Sequence, residues 1–395
     1  MSNEDNRAGL VPSHSVALSR AGATTLVRRG VEELLARAEA DEWCKRGLSL
    51  WGSDWRCPID ADSDAGRKAR EQATEYFRRG LQLDPNHAAL QFYLGLARCY
   101  DVEPEGDYTE AVVWWRKAAE QGYADAQYVM GCQYQAGQGV PQDDAEAVDW
   151  WCKAANQGNV HAANMLGWIY EQGEGVRKDP VQAAFWYRKA AEQSDADAQN
   201  ALGYSYHSGE GVPQDHAQAV IWWRKAADHG HATAQYSLGL AYRHGEGVPQ
   251  DYAEAAFWFR RAAEQGHARA QFNLGLACNH GQGVPEDNAQ AAIWWRKAAD
   301  QRDAEAQHAL GWLYRFGGDY TQAAIWWRKA AEQGLSIAAH NLGCAYQDGR
   351  GVPQDKAQAA FWFGKATSQG HEDAKRKLHA ILREAGSDEP TNVGG

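Results

Sequence analysis

The chain has 395 residues, among them 40 glycines, 18 tryptophans and 7 cysteines, and a formal net charge of −12. That acidic balance, with no compensating basic patch, argues against nonspecific binding to nucleic acid or to an anionic membrane. The length exceeds what one globular core usually serves, so the chain must divide into domains or grow by repetition.

Residues 1–25 are polar and mixed and are expected to be disordered. They contain neither a signal peptide nor a long apolar span, and the cytoplasm is the default location. Val27, Val31, Leu34, Leu35 and Ala38 then recur at helical spacing and predict a first helix over about 25–48. A long connection, 49–66, places Trp51 and Trp55 to pack over the end of the following structure as a cap, with an exposed hook for a partner as the alternative. Asp60, Asp62, Asp64 and Glu71 have calcium-loop spacing, but Ala65 stands where the sharp turn requires glycine, so a solvated acidic turn is the better reading. A second helix is expected over 67–83, with Ala69, Ala73, Tyr76, Phe77 and Gly80 on its apolar face. Residues 26–87 therefore read as a helical cap containing a degenerate unit of the repeat that follows.

From residue 88 to 373 the chain is periodic, in about eight units. Gly131, Gly167, Gly203, Gly239, Gly275 and Gly311 lie 36 residues apart, and Gly343 follows after 32. In the unit at 198–230, Ala198, Leu202, Gly203 and Tyr206 predict helix A, and Gly209 supplies the left-handed conformation that stops it. Asp215 and Gln218 have capping-box spacing and start helix B; the same start recurs from Asp107/Glu110 to Asp355/Gln358. Helix B carries Ala219, Trp222, Trp223, Ala226 and Ala227. Its first aromatic position (Trp114, Trp150, Trp186, Trp222, Trp258, Trp294, Trp326, Trp362) is expected in the core, and its second (Trp223 and equivalents) mostly between repeats. The Arg-Lys pairs that follow, such as Arg224-Lys225, are expected to be solvated flank near the helix end. Two short helices cannot bury these faces alone, and stacking can. The predicted fold is all-α: a right-handed superhelical α/α solenoid of helical hairpins. The unit after Gly311 lacks four loop residues, which should produce a local dip in that edge or a change of pitch. Residues 374–382 predict a last capping helix within 374–395, with a frayed tail from Glu384.

The pattern A..LG..Y..G.GV..D...A..W..KAA..G resembles the Sel1-like repeat, a relative of the tetratricopeptide repeat, over the units that begin near Ala126, Ala162, Ala198, Ala234, Ala270, Ala306 and Ala338. The unit near Ala88 is a looser match, with Asp101 to Gly106 in place of its glycine turn. The resemblance implies a scaffold or adaptor that assembles other proteins. Some secreted relatives carry paired cysteines in every repeat and penicillin-directed activity. This chain lacks those pairs, so that activity is not carried over, and its odd, irregularly spaced cysteines favour a reducing compartment.

No catalytic constellation, nucleotide loop, cofactor motif or metal-ligand spacing stands out, and the histidines look scattered by repeat divergence. A binding surface is the better expectation. In solenoids of this type helix A lines the concave groove, and columns that vary within a fixed frame are free to read a ligand. Three such columns include Asn273 and Asn341; Tyr236, Phe272, His308 and His340; and Arg243, Asn279 and Arg315. Amides and guanidinium groups beside aromatics can hold the backbone and carboxylates of an extended peptide. Trp168 and Trp312, directly after the repeat glycine, are read as core more than contact. The leading reading is a non-enzymatic protein- or peptide-binding adaptor, with no nucleic acid and no membrane insertion. The alternatives are an inhibitor or immunity-type protein for one cognate enzyme, and a glycan- or small-ligand-binding solenoid.

Overall fold

The structure is a computed structural model that describes residues 20–51, 64–100 and 108–387. The described residues are helices joined by turns, with no strand among them. They form two compact units, one running to Met165 with Glu174–Val176, the other comprising Leu166–Gly173 and everything from Arg177.

The first unit holds α1 (Arg20–Trp51), α2 (Asp64–Leu83), α3 (Ala88–Tyr100), α4 (Thr109–Glu120), α5 (Ala124–Ala136) and α6 (Asp144–Asn156). Helix α7 (Val160–Gln172) starts in the first unit and ends in the second. The second continues with α8 (Pro180–Ala191), α9 (Ala196–Ser208), α10 (His216–Asp228), α11 (Ala232–His244), α12 (Tyr252–Glu264), α13 (Ala268–His280) and α14 (Asn288–Asp300). It closes with α15 (Ala304–Phe316), α16 (Tyr320–Glu332), α17 (Ser336–Asp348), α18 (Lys356–Ser368) and α19 (Glu372–Ser387). From α1 to α6 and from α8 to α19 every helix packs on its neighbours in sequence, which is the helix-hairpin solenoid.

Helix α1 begins at Arg20, inside the stretch expected to be disordered, and α19 extends to Ser387 through the expected tail. His371 caps α19 by accepting from the Ala374 amide, and Lys356 reaches Glu384 at 3.0 Å, so the last turns are held. Trp51 is fully buried beside Phe77. Trp55, Asp60 and Asp62 lie outside the described residues, whereas Asp64 and Glu71 belong to α2.

Each hairpin is closed by the repeat glycine. A Cβ at Gly203 would stand 2.4 Å from the Trp223 ring, and Gly131, Gly167, Gly239, Gly275, Gly311 and Gly343 meet Trp151, Tyr187, Phe259, Trp295, Trp327 and Phe363 in the same way. The second aromatic of helix B therefore packs within its own hairpin, not mostly between repeats as the sequence suggested. The first aromatic makes the joint: Trp258 of α12 shares a core with Ala219, Trp223 and Leu238 of α10 and α11, and Trp326 of α16 joins the core of α12 to α15. Burying an aromatic of this size contributes several kcal/mol at about 25 cal/mol per Å².

The glycine turn has two parts with different reasons. Gly209 closes α9 in the left-handed conformation at φ 76°. Gly211 lets the loop touch the start of the preceding helix B, where a Cβ would come within 1.9 Å of the Pro180 carbonyl oxygen. Helix B then starts as predicted on its aspartate: Asp143, Asp179, Asp215, Asp251, Asp287, Asp319 and Asp355 accept from amides two or three residues on. The reciprocal half of the capping box is replaced. The N-cap amides donate to orphan carbonyls at the end of helix A, such as Asp215 N to Tyr206 O, at 2.8–3.0 Å. Asp107 lies outside the described residues.

Polar connectors run along the seam. The arginine of helix B crosses to the tyrosine hydroxyl of the next helix A: Arg116 to Tyr134 at 2.9 Å, Arg188 to Tyr206 and Arg296 to Tyr314 at 2.7 Å, and likewise Arg224 to Tyr242 and Arg328 to Tyr346. The neighbouring lysine lies over the first tryptophan of its own helix, 3.8 Å for Lys225 over Trp222 and 4.0 Å for Lys329 over Trp326. The arginines are thus joints, whereas the lysines stay on their own helix and remain largely solvated, as expected. Buried glutamines form a second line. Gln127, Gln199, Gln235, Gln271 and Gln307 donate to the last carbonyls of the preceding helix B, at 3.0–3.1 Å. Gln127, Gln235, Gln271 and Gln307 in turn accept from Gln157, Gln265, Gln301 and Gln333 of the next turn, at 2.6–2.9 Å.

Candidate functional site

The structure divides the nine sequence candidates into a locked group and an accessible group. Asn273 is buried on α13, accepting from Arg243 of α11 and donating to the Arg269 carbonyl at 2.8 Å. Tyr236 stacks on His267 at 4.7 Å, and burial raises its pKa above the ordinary phenol value. Side chains committed to bridging α11 and α13 hold the surface in shape.

The other candidates surround Trp312 of α15. Phe272, Asn279 and His308 line a cleft of about 530 Å³ together with Leu276, Trp295, Trp312, Leu313 and Phe316. The sides of this cleft come from α13 and α15, and Leu335 and Ile337 close it from the start of α17. Arg315, His340 and Asn341 line an adjoining pocket of about 400 Å³ with Tyr320, Arg350 and Lys377. Trp312 belongs to both. Three of the lining groups of the second pocket, Arg315, Arg350 and Lys377, are cationic against one carboxylate, Asp348, so it suits an anionic group.

His308 and Asn341 hold the two cavities together. The Trp312 indole N–H donates to His308 Nε2 at 2.9 Å, and the Asn341 amide nitrogen lies 3.0 Å from the same atom. That nitrogen is an acceptor, so the imidazole is neutral and carries its proton on Nδ1. Burial lowers the His308 pKa to about 4. His340, stacked on His371 at 4.5 Å, is also below the usual histidine value through burial and the nearby charges of His371 and Lys377. Arg315 lies over the Trp312 ring at 4.6 Å.

Phe316, Lys377, Arg350 and Tyr320 were missing from the sequence columns. Phe316 is 82% exposed at the end of α15, where the unit lacks the four residues that elsewhere bring a half-buried valine such as Val284 or Val352 against the core. The shortened loop is the signal that marked this place. Trp312, read as core, is a half-buried wall of both cavities.

The histidines are also less scattered than the sequence suggested. His231, His267 and His371 accept the amide three residues on and cap α11, α13 and α19, as His87 does for α3. His207 and His216 converge with Glu246. No described helix is long and apolar enough to cross a membrane.

Eight consecutive stretches, residues 88–123, 124–159, 160–195, 196–231, 232–267, 268–303, 304–335 and 336–371, match the Sel1 repeat. The chain is similar to the Sel1 repeat protein from Oxalobacter formigenes, 35% identical with a TM-score of 0.63 over 78% of this chain and 89% of that one. It is also similar to a protective antigen of uropathogenic Escherichia coli strains that displays an SLR fold, at 33% identity and a TM-score of 0.61, over 87% of this chain and 79% of that one. No curated protein matches the chain.

Proposed function

The chain belongs to the Sel1 repeat family, a generic protein-binding solenoid, and on that premise we propose that it is a non-enzymatic adaptor whose helix-A face grips an extended segment of another protein. The observation that carries this reading is the pairing of an aromatic-walled cleft with a cationic pocket on either side of Trp312. An apolar side chain of the partner enters between Phe272, Trp312 and Leu313. A neighbouring carboxylate is held by Arg315, Arg350 and Lys377. The aromatic anchor excludes water, and the charges fix direction. A cytoplasmic setting fits the free thiols of Cys44, Cys99, Cys152, Cys278 and Cys344.

Affinity capture from native lysate tests the reading, comparing the natural chain with Trp312→Ala and with Arg315→Glu/Lys377→Glu. Loss of the same captured protein from both variants is expected. Equal capture by all three forms rejects the assignment. One stoichiometric partner that is an enzyme would narrow the adaptor to an inhibitor.

A further inference from the structure

We propose that His207, His216 and Glu246 form a binding site for one divalent zinc ion. His207 ends α9, His216 opens α10, and Glu246 lies in the loop after α11, so the ion would fasten one hairpin to the turn of the next.

The geometry already approaches that of a zinc site. Zinc bonds to imidazole nitrogen and carboxylate oxygen are about 2.0–2.2 Å, which puts tetrahedral ligand atoms about 3.3–3.6 Å apart. The two Nδ1 atoms of His207 and His216 are 3.2 Å apart, and His207 Nδ1 is 3.9 Å from a Glu246 carboxylate oxygen. All three ligand atoms lie within 4.8 Å of one another. A single proton between the two imidazoles would satisfy that pair but leave the carboxylate beyond hydrogen-bond reach. An ion draws all three to it, and Glu246, exposed on a loop, can close the remaining distance.

The imidazoles are half-buried and held in place. The His207 ring lies 5.4 Å from Trp223, and Gln214 donates to its carbonyl at 2.8 Å. Two imidazoles and one carboxylate are a borderline donor set that suits zinc over magnesium or calcium, with water as fourth ligand. No other unit carries histidine at both positions: His207 is matched by Gln135 and Gln347, among others, and His216 by Asn288 and Tyr252. The variant His207→Gln/His216→Asn therefore removes both imidazoles using side chains that other hairpins already hold.

The full chain, stripped with chelator, is titrated with zinc chloride by calorimetry at pH 7.5, and separately with cobalt chloride to read the visible bands of tetrahedral cobalt. One equivalent is expected to bind, with a rise in melting temperature. Losing outer partners of metal ligands costs about 10–100-fold in affinity, so losing two direct ligands should cost at least about 100-fold. Glu246→Gln should weaken binding at least about tenfold by the same comparison. No binding by the natural chain, or equal affinity and stoichiometry in His207→Gln/His216→Asn with its helical circular dichroism intact, overturns the assignment.

Discussion

Replacing His229 by glutamine should stabilise the protein, because it completes an interrupted line of buried amides. Four connectors of that line, three of them consecutive from Gln235, show the finished form: a buried glutamine gives its amide to the preceding helix and receives one from a glutamine 30 residues on, or 26 at the shortened unit. Gln199 makes the first bond, to the Ala191 carbonyl at 3.1 Å, but its Oε1 is buried and has no partner. The residue 30 positions on is His229, exposed at the end of α10, where the other units carry glutamine. A buried acceptor left unmade costs about 1–3 kcal/mol, and ordering an exposed glutamine side chain costs up to about 2 kcal/mol. The net gain should be about 0.5–1.5 kcal/mol. Urea denaturation of the natural chain, His229→Gln, Gln199→Ala and the double variant isolates the pairing; Ala163 occupies the position of Gln199 in its own unit, so alanine is tolerated there. The same gain in the Gln199→Ala background, or no gain at all, would refute the reasoning.

Ser194 and Arg302 adopt φ 70° and 67° at a turn where the other units place glycine, and a Cβ at Gly122, Gly158, Gly230 and Gly266 meets nothing. Ser194→Gly and Arg302→Gly should each stabilise by up to about 1 kcal/mol in denaturant melts, the relief of left-handed strain less the entropy of glycine. Gly203→Ala should destabilise by about 1–3 kcal/mol because the Trp223 ring must move, whereas Gly364→Ala in α18, where nothing lies within 4 Å, should gain about 0.5–1 kcal/mol; thermal melts of the two variants should shift in opposite directions. For His308 the folded pKa, about 4, lies below the ordinary 6.5, so its contribution is present above about pH 6.5 and is lost as pH falls towards 4. His267 and His340 are lowered in the same direction by burial. Melting temperatures at pH 7 and pH 4.5 should differ less in His308→Asn than in the natural chain, and an equal difference would rule out this imidazole as a source of acid sensitivity.

Helices, their aspartate caps and their glycine stops were legible because each depends on residues within one turn. The connectors were not, because Arg296 and Tyr314, or Gln271 and Gln301, are 18 and 30 residues apart and meet only through stacking. The same distance misled the reading of the aromatic pair. Trp326 and Trp327 are equal in composition, yet one joins the core of the preceding hairpins and the other meets its own glycine, a division set by helix rotation. Several positions of the helix-A columns line the two cavities, but Asn273 and Arg243 proved to bind one another because variable positions of successive units are neighbours. The walls that open around Trp312 depended on a missing loop, and absence of residues is a signal that side-chain chemistry alone does not interpret.

Every joint described within the units, whether tyrosine hydroxyl, glutamine amide or glycine loop, reaches only to the adjacent hairpin. A gene that gains or loses one whole 36-residue module would therefore disturb contacts only at its two new junctions, so the length of the protein can evolve in integer steps. Fractional changes are confined to the outer loop, where the four-residue deletion before Asp319 spared the donor-acceptor register on both sides.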